Sequence, residues 1–262
     1  MVPPEPDVED WVRTSLEDGV PEALELHLQP VVHLGSGAIY GAESFIRWRA
    51  PSGEVLATSA WLPHAHATGA LTDCARSMLS RWAATSRGAD GPIVSFNLMG
   101  DQMLDGEFMD DVLAIPADCA AGLAIEIHQL QFDVERANAV QPQWSWLEVP
   151  EFDAALDELR SHGFSLWVDD FGDGSDDVAV IEHESVDVVK LDRVFLDVDP
   201  ADLAATVAEV HRHDKVALLE CIETEDDVAR AVAAEVDLGQ GFRFAPGLTA
   251  QEFADFGGRN RT

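Results

Sequence analysis

Short apolar runs in this chain end, one after another, in residues that can do chemistry: Glu43, Asn97, Glu126, Asp169 with Asp170, Lys190, and Glu220 with Glu223. Taken singly, a strand-end Glu or Asn is usually a cap or a solvated loop residue. Taken together they are a problem in electrostatics, because converging carboxylates repel one another unless cations neutralise them. Hard oxygen ligands of this kind suit Mg²⁺ or Mn²⁺. A shared aspartate can bridge two such ions about 3.5–4 Å apart, the geometry used to hydrolyse phosphodiesters. Asp169-Asp170 carries the most weight, since two adjacent acids follow the apolar run Phe164-Ser165-Leu166-Trp167-Val168. Lys190 is informative through scarcity: it and Lys215 are the only lysines, and it follows Val186-Asp187-Val188-Val189. Two-metal phosphoryl chemistry is the reaction class these residues suggest.

Something must bring such dispersed residues together. Strands are expected over Leu24–Val32, Ile39–Trp48, Pro92–Asn97, Leu123–Ile127, Phe164–Asp169, Val186–Lys190, Val216–Glu220 and Val236–Leu238, each a short apolar run with a polar end. Helices are expected over Ser59–Ala67, Thr72–Thr85, Phe108–Leu113, Phe152–His162, Ala201–His213, Glu225–Ala234 and Thr249–Phe256. Asp199-Pro200 and Thr224 with its acidic followers read as helix starts. The alternation predicts an α/β fold, a TIM-like (β/α)8 barrel whose functional residues gather at the mouth where the strands end. Gly35-Ser36-Gly37 is a hairpin signal, so the first strand pair should be antiparallel. We expect an acidic N-terminal extension over 1–20 with a helix at Asp7–Glu17, a barrel domain over 21–257, and a tail over 258–262. The stretch Asn138–Pro150, with Trp144 and Trp146, reads as an insertion.

Composition narrows the function. With 16 Lys+Arg against 49 Asp+Glu, the chain of 262 residues carries a formal charge of -33, which excludes a broad grip on DNA. No apolar run approaches the ~18 residues of a membrane span, and the N-terminus is acidic and proline-rich where an export signal starts positive. The odd set Cys74, Cys119 and Cys221 fits buried thiols in a reducing compartment, so the expected location is cytoplasmic. His64 with His66, two apart on an expected helix, face different ways and make a poor metal pair.

Further segments complete a pattern: Gln29-Pro30-Val31-Val32, Gly41-Ala42-Glu43-Ser44-Phe45-Ile46-Arg47-Trp48, Ser95-Phe96-Asn97-Leu98, Ile125-Glu126-Ile127, Asp169-Asp170-Phe171-Gly172, Val189-Lys190-Leu191-Asp192-Arg193, Glu220-Cys221-Ile222-Glu223-Thr224 and Gln240-Gly241-Phe242. In this order, over about Leu24 to Phe256, the chain resembles the EAL-domain cyclic-di-GMP phosphodiesterases. The resemblance implies that Glu43, Asn97, Glu126 and Asp169 hold one Mg²⁺ or Mn²⁺, and that Asp169, Asp170 and Glu220 serve a second. Lys190 would orient or help activate the attacking water. Gln29, Phe45, Arg47, Asp192, Glu223 and Gln240 stand at substrate and supporting positions. The implied reaction opens cyclic-di-GMP to linear pGpG, and the implied assembly is a homodimer with scope for a regulatory protein partner.

The sequence also departs from that family. Phe45 replaces a leucine on the substrate floor, and His128-Gln129 stand where a Thr-Glu pair is usual. Asp173-Gly174-Ser175-Asp176-Asp177 replaces a Thr-Gly-Tyr-Ser-Ser pattern, and Cys221 replaces a glycine. The Gln240–Pro246 segment is one residue short. Two further readings follow: a noncatalytic cyclic-di-GMP receptor or interaction module, and a hydrolase for another phosphodiester.

Overall fold

The computed structural model describes residues 24–50, 52–56, 58–83, 88–128, 149–172 and 178–259. The expected leading helix, most of the 138–150 insertion, Gln129 and the 173–177 loop lie outside the described residues.

Among the described residues nine strands form one sheet: β1 (Leu24–His33), β2 (Ile39–Arg49), β3 (Val55–Leu56), β4 (Ile93–Leu98), β5 (Leu123–His128), β6 (Ser165–Phe171), β7 (Val188–Leu191), β8 (Val216–Leu219) and β9 (Leu238–Gln240). Their order is β1-β9-β8-β7-β6-β5-β4-β2-β3, and a further β1–β2 pairing closes eight of them into a barrel with β3 as an outer hairpin strand. β1 runs antiparallel to both neighbours, β2 and β9. The other barrel pairings are parallel. The barrel and its antiparallel first pair are therefore as expected. β3 was not anticipated, because two residues are too few to show a period.

Around the barrel lie α1 (Thr58–Thr68), α2 (Ala70–Ala83), α3 (Gly100–Met103), α4 (Gly106–Leu113), α5 (Ala117–Ala120), α6 (Pro150–His162), α7 (Ala179–Glu182), α8 (Pro200–Arg212), α9 (Glu225–Ala233) and α10 (Ala250–Arg259). Local chemistry explains several boundaries. Asp199 caps α8 by accepting from the Ala201 amide and Pro200 occupies its first turn. Thr224 and Asp227 exchange hydrogen bonds across the start of α9. α6 stops at Gly163, whose φ of 113° lies in the left-handed region. α3, α5 and α7 are four residues each, too short for helical periodicity to reveal.

Inside the barrel, Val31, Ala124, Trp167, Val188, Leu218 and Leu238 make one buried apolar layer, with Tyr40, Ile93 and Val216 packed against it. The larger core lies between strands and helices and includes Trp48, Trp61, Phe108, Phe152 and Leu203. The cysteines depart from expectation: all three are free, but only Cys74 is buried, Cys119 is half-buried and Cys221 is exposed. Cys221 sits in a turn past β8 rather than in a packed element, with φ at 55°.

Candidate active site

The apolar layer dictates where the polar groups stand. Side chains alternate faces along a strand, so a residue two positions past an inward-facing one faces inward again, one level nearer the mouth. Ala124 is followed at that offset by Glu126, Trp167 by Asp169, Val188 by Lys190, Leu218 by Glu220 and Leu238 by Gln240. On the reversed strand β1 the offset runs backwards, and Val31 gives Gln29. β1 and β2 pair Gln29 directly with Glu43.

Lys190 is the centre of the cluster, with none of its surface exposed. Its Nζ lies 2.7 Å from Glu126 Oε2, 2.7 Å from Asp169 Oδ1, 3.0 Å from Glu220 Oε1 and 3.2 Å from Glu43 Oε2. Burial works against its ammonium form, but Asp169, Glu126, Glu220 and Glu43 outweigh burial and hold its pKa well above the usual lysine range. The acids respond in kind. Burial, reinforced by Glu43 and Asp169 despite Lys190, pushes Glu126 well above the ordinary carboxylate range. Glu220 is likewise raised by burial against the pull of Lys190.

Neutral donors surround the acids. Asn97 Nδ2 donates to Glu43 Oε1 at 2.9 Å, and Gln240 Nε2 donates to Glu43 Oε2 at 2.8 Å and to Gln29 Oε1 at 3.1 Å. Ser95 Oγ donates to Glu126 Oε1. Ser95 was not anticipated, although it stands two residues before Asn97 on the same strand face, a period-two signal that could have revealed it.

Asp169 and Asp170 solve a geometric problem: adjacent strand residues ordinarily point to opposite faces. The β6–β7 register shifts between Val168 and Phe171, and Asp170 takes φ of 54°. Aspartate tolerates that left-handed conformation better than most residues, and such an irregularity re-aims a side chain. As a result Asp169, Asp170 and Glu220 each offer an oxygen within 4.8 Å of the others, a grouping able to hold a metal ion.

The remaining anticipated residues sit further out. The Arg47 guanidinium lies 5.0 Å from the Phe45 ring centroid and donates to Thr58 Oγ1 at 2.7 Å, bracing β2 against α1. Asp192 Oδ1 caps a short 3-10 turn by accepting from the Val194 amide at 2.9 Å. Glu223 is exposed, and its amide donates to Asp227 at 3.0 Å. Among the described residues, no hydrogen bond or ion pair ties the Asp192 or Glu223 side chain to the Lys190 cluster. Both instead contribute to the negative field around Cys221.

Comparison with known proteins agrees with this geometry. The family model for the EAL domain matches residues 10–247. A Pseudomonas aeruginosa protein named cyclic di-GMP phosphodiesterase NbdA is 27% identical over 95% of this chain and 32% of its own length. An Escherichia coli protein named probable cyclic di-GMP phosphodiesterase PdeB is 25% identical over 87% of this chain and 43% of its own length. The chain thus spans less than half of either relative. Among solved structures, the FimX EAL domain from Pseudomonas aeruginosa bound to c-di-GMP superposes with a TM-score of 0.74 at 18% identity, covering 93% of this chain and 97% of that one. The PaMucR phosphodiesterase in complex with c-di-GMP gives 0.75 at 22% identity, covering 94% and 99%. The match over residues 10–247, laid on a barrel of this topology, establishes that the chain belongs to the EAL-domain family.

Proposed function

We propose that this chain is a metal-dependent phosphodiesterase that hydrolyses cyclic-di-GMP to linear pGpG. The observation that carries the reading is the contact of Lys190 Nζ with four carboxylates at one mouth of the barrel. One ammonium cannot neutralise four acids, and Glu126 and Glu220, raised first by burial, are raised further by the neighbouring acids. The donor set fits hard divalent cations, being carboxylates and one carboxamide with no soft ligand among them.

Glu43, Asn97, Glu126 and Asp169 would hold one ion, and Asp169, Asp170 and Glu220 the other. A bound Mg²⁺ or Mn²⁺ pair supplies Lewis-acid polarisation of a phosphodiester oxygen and lowers the pKa of water. The protein's own part is positional. Lys190, whose ammonium form the four acids favour, would orient the attacking water or help activate it. Gln240 and Asn97 hold the two oxygens of Glu43 in fixed directions, and Ser95 does the same for Glu126. Water adds to phosphorus, one P–O ester bond breaks, and the departing ribose oxygen takes a proton.

The relatives named as cyclic di-GMP phosphodiesterases support the substrate assignment. A second reading, a receptor that binds without turnover, rests on the departures from the family pattern at His128-Gln129 and Asp173-Gly174-Ser175-Asp176-Asp177. Incubating the purified chain with cyclic-di-GMP and Mn²⁺ and separating the products decides between them. Release of pGpG is expected, abolished in Glu43→Ala. Tight binding without product would replace the enzyme by the receptor.

A further inference from the structure

Asp169 and Asp170 reach the mouth together because β6 leaves its regular register between Val168 and Phe171, with Asp170 at φ of 54°. A residue with a Cβ keeps such a backbone only where its surroundings over-determine it. What the chain meets directly after Asp170 supplies that constraint. Phe171 rejoins the ladder opposite Leu191, and its carbonyl accepts from the Asp192 amide at 2.9 Å. Its ring is stacked on Phe195, with centroids 6.4 Å apart and planes 11° from parallel. Gly172 then lies against the same ring: its φ is 112°, and a Cβ there would stand 2.4 Å from Phe195 Cε2. Phe171 and Phe195 are both buried. Phe195 is thus the surface on which the chain leaves β6.

Phe195 is itself held from two sides. It belongs to the 3-10 turn Arg193–Leu196, whose start Asp192 caps. From α9, Arg230 donates through Nε to Phe195 O at 3.1 Å and through Nη2 to Val198 O. Arg49, Arg76, Arg160 and Arg243 each pair with a carboxylate, as expected in so acidic a chain. Arg230 instead lays its planar fork across two backbone carbonyls of one turn. α9 begins at Glu225, shortly past Glu220, and the Glu220 amide donates to Leu191 O at 3.1 Å, beside Asp192. One turn therefore joins the strand end that carries Asp169 and Asp170 to the strand end that carries Glu220.

Resting on the two-metal reading above, we infer that Phe195 and Arg230 are positioning residues that set the spacing of Asp169, Asp170 and Glu220, and with it the hold on one of the two ions. The ring fixes where Asp170 turns, and the guanidinium fixes the ring relative to α9. Among the described residues, no hydrogen bond or ion pair links Arg230 to those three carboxylates, so it acts through the turn. Ligand groups must be held to within about 0.5 Å of the productive geometry. Losing a partner that orients a metal ligand typically costs about 10–100-fold in metal affinity.

The test is Mn²⁺ binding to the full chain without substrate, counted from the electron paramagnetic resonance signal of the free ion, beside urea unfolding in EDTA. Arg230→Met keeps the stem and removes the donors, and Phe195→Leu removes the ring. Each should weaken one of the two bound ions about tenfold and leave the other little changed. Arg230→Lys, which can still donate to the carbonyls, and Phe195→Tyr, which keeps the ring, should recover most of that loss. Asp170→Asn should weaken the same ion, and adding Arg230→Met to it should cost little more, because both act through one carboxylate. Where Arg230→Met or Phe195→Leu does not fold, Arg230→Lys and Phe195→Tyr decide, with a smaller loss confined to the same ion expected. A lower urea midpoint with both ions weakened alike, or with neither weakened, would mean a merely structural role and overturn the inference. Full additivity with Asp170→Asn would do the same, and in each case the two-metal reading stands. A wild-type chain that binds fewer than two Mn²⁺ would overturn that reading and this inference with it.

Discussion

Lys190 touches Glu43, Glu126, Asp169 and Glu220 at once, so its removal is a test of what the cluster needs. Replacing it by Met would leave buried acids with no cation. Breaking a buried ion pair on one side typically costs about 3–5 kcal/mol. Lys190→Met should therefore lower stability by about that amount in urea unfolding with EDTA, and added Mn²⁺ should restore part of it. Unchanged stability in EDTA would mean that the acids are already protonated and Lys190 is idle. Cys221 gives a prediction of opposite sign. Its φ of 55° is strained for any residue with a Cβ, so Cys221→Gly should stabilise by about 1 kcal/mol, read from the thermal midpoint. The buried Cys74 thiol is pushed up to about 11 by burial and, secondarily, by Asp73. The folded chain then keeps a proton that the unfolded chain loses from about pH 9, so this contribution to stability is complete below that pH and is lost on rising toward 11. Titration of stability with alkali should show the loss, and Cys74→Ala should flatten that part of the curve.

At the scale of strands, the site is held by close backbone approach as much as by side chains. Gly241 has φ of 152°, and a Cβ there would stand 2.2 Å from Ile222 O and 2.3 Å from Ile222 N. Both are backbone atoms with no flexible end to move aside. Gly241→Ala should cost about 3 kcal/mol and displace Gln240, the donor to Glu43, so that the urea midpoint and activity fall together. A full-strength variant would mean that the turn after β9 is adjustable and does not set the site. This bears on how much was readable beforehand. The strands and their polar ends were legible because each combines an apolar run with a chemical residue at its close, and the two-residue offset from Trp167 to Asp169 or Val188 to Lys190 is visible in the sequence itself. Ser95 obeys the same period, but a serine inside a strand carries no chemical signature of its own to single it out. The β6 irregularity that turns Asp170 beside Asp169 was invisible too, because nothing in two adjacent aspartates says which of them leaves the pleat.

For the molecule as a whole, the decisive number is the formal charge of -33, opposed to the approach of the dianionic ligand proposed above. The two effects have different ranges. The bulk repulsion acts over the distance that salt leaves open, about 30 Å at 0.01 M but only about 10 Å at 0.1 M. The attraction from the cations that the proposed function requires would act within the mouth itself, where burial protects it from screening. Adding salt should therefore remove the unfavourable part first. The association rate of cyclic-di-GMP, followed by stopped flow in the presence of Mn²⁺, should rise about tenfold between 0.01 and 0.15 M salt, the reverse of an electrostatically steered encounter. The dissociation rate should change little, because it depends on contacts inside the mouth. Affinity that fell steeply with salt would require a basic surface of a kind that 16 cationic side chains dispersed among 49 acids do not provide.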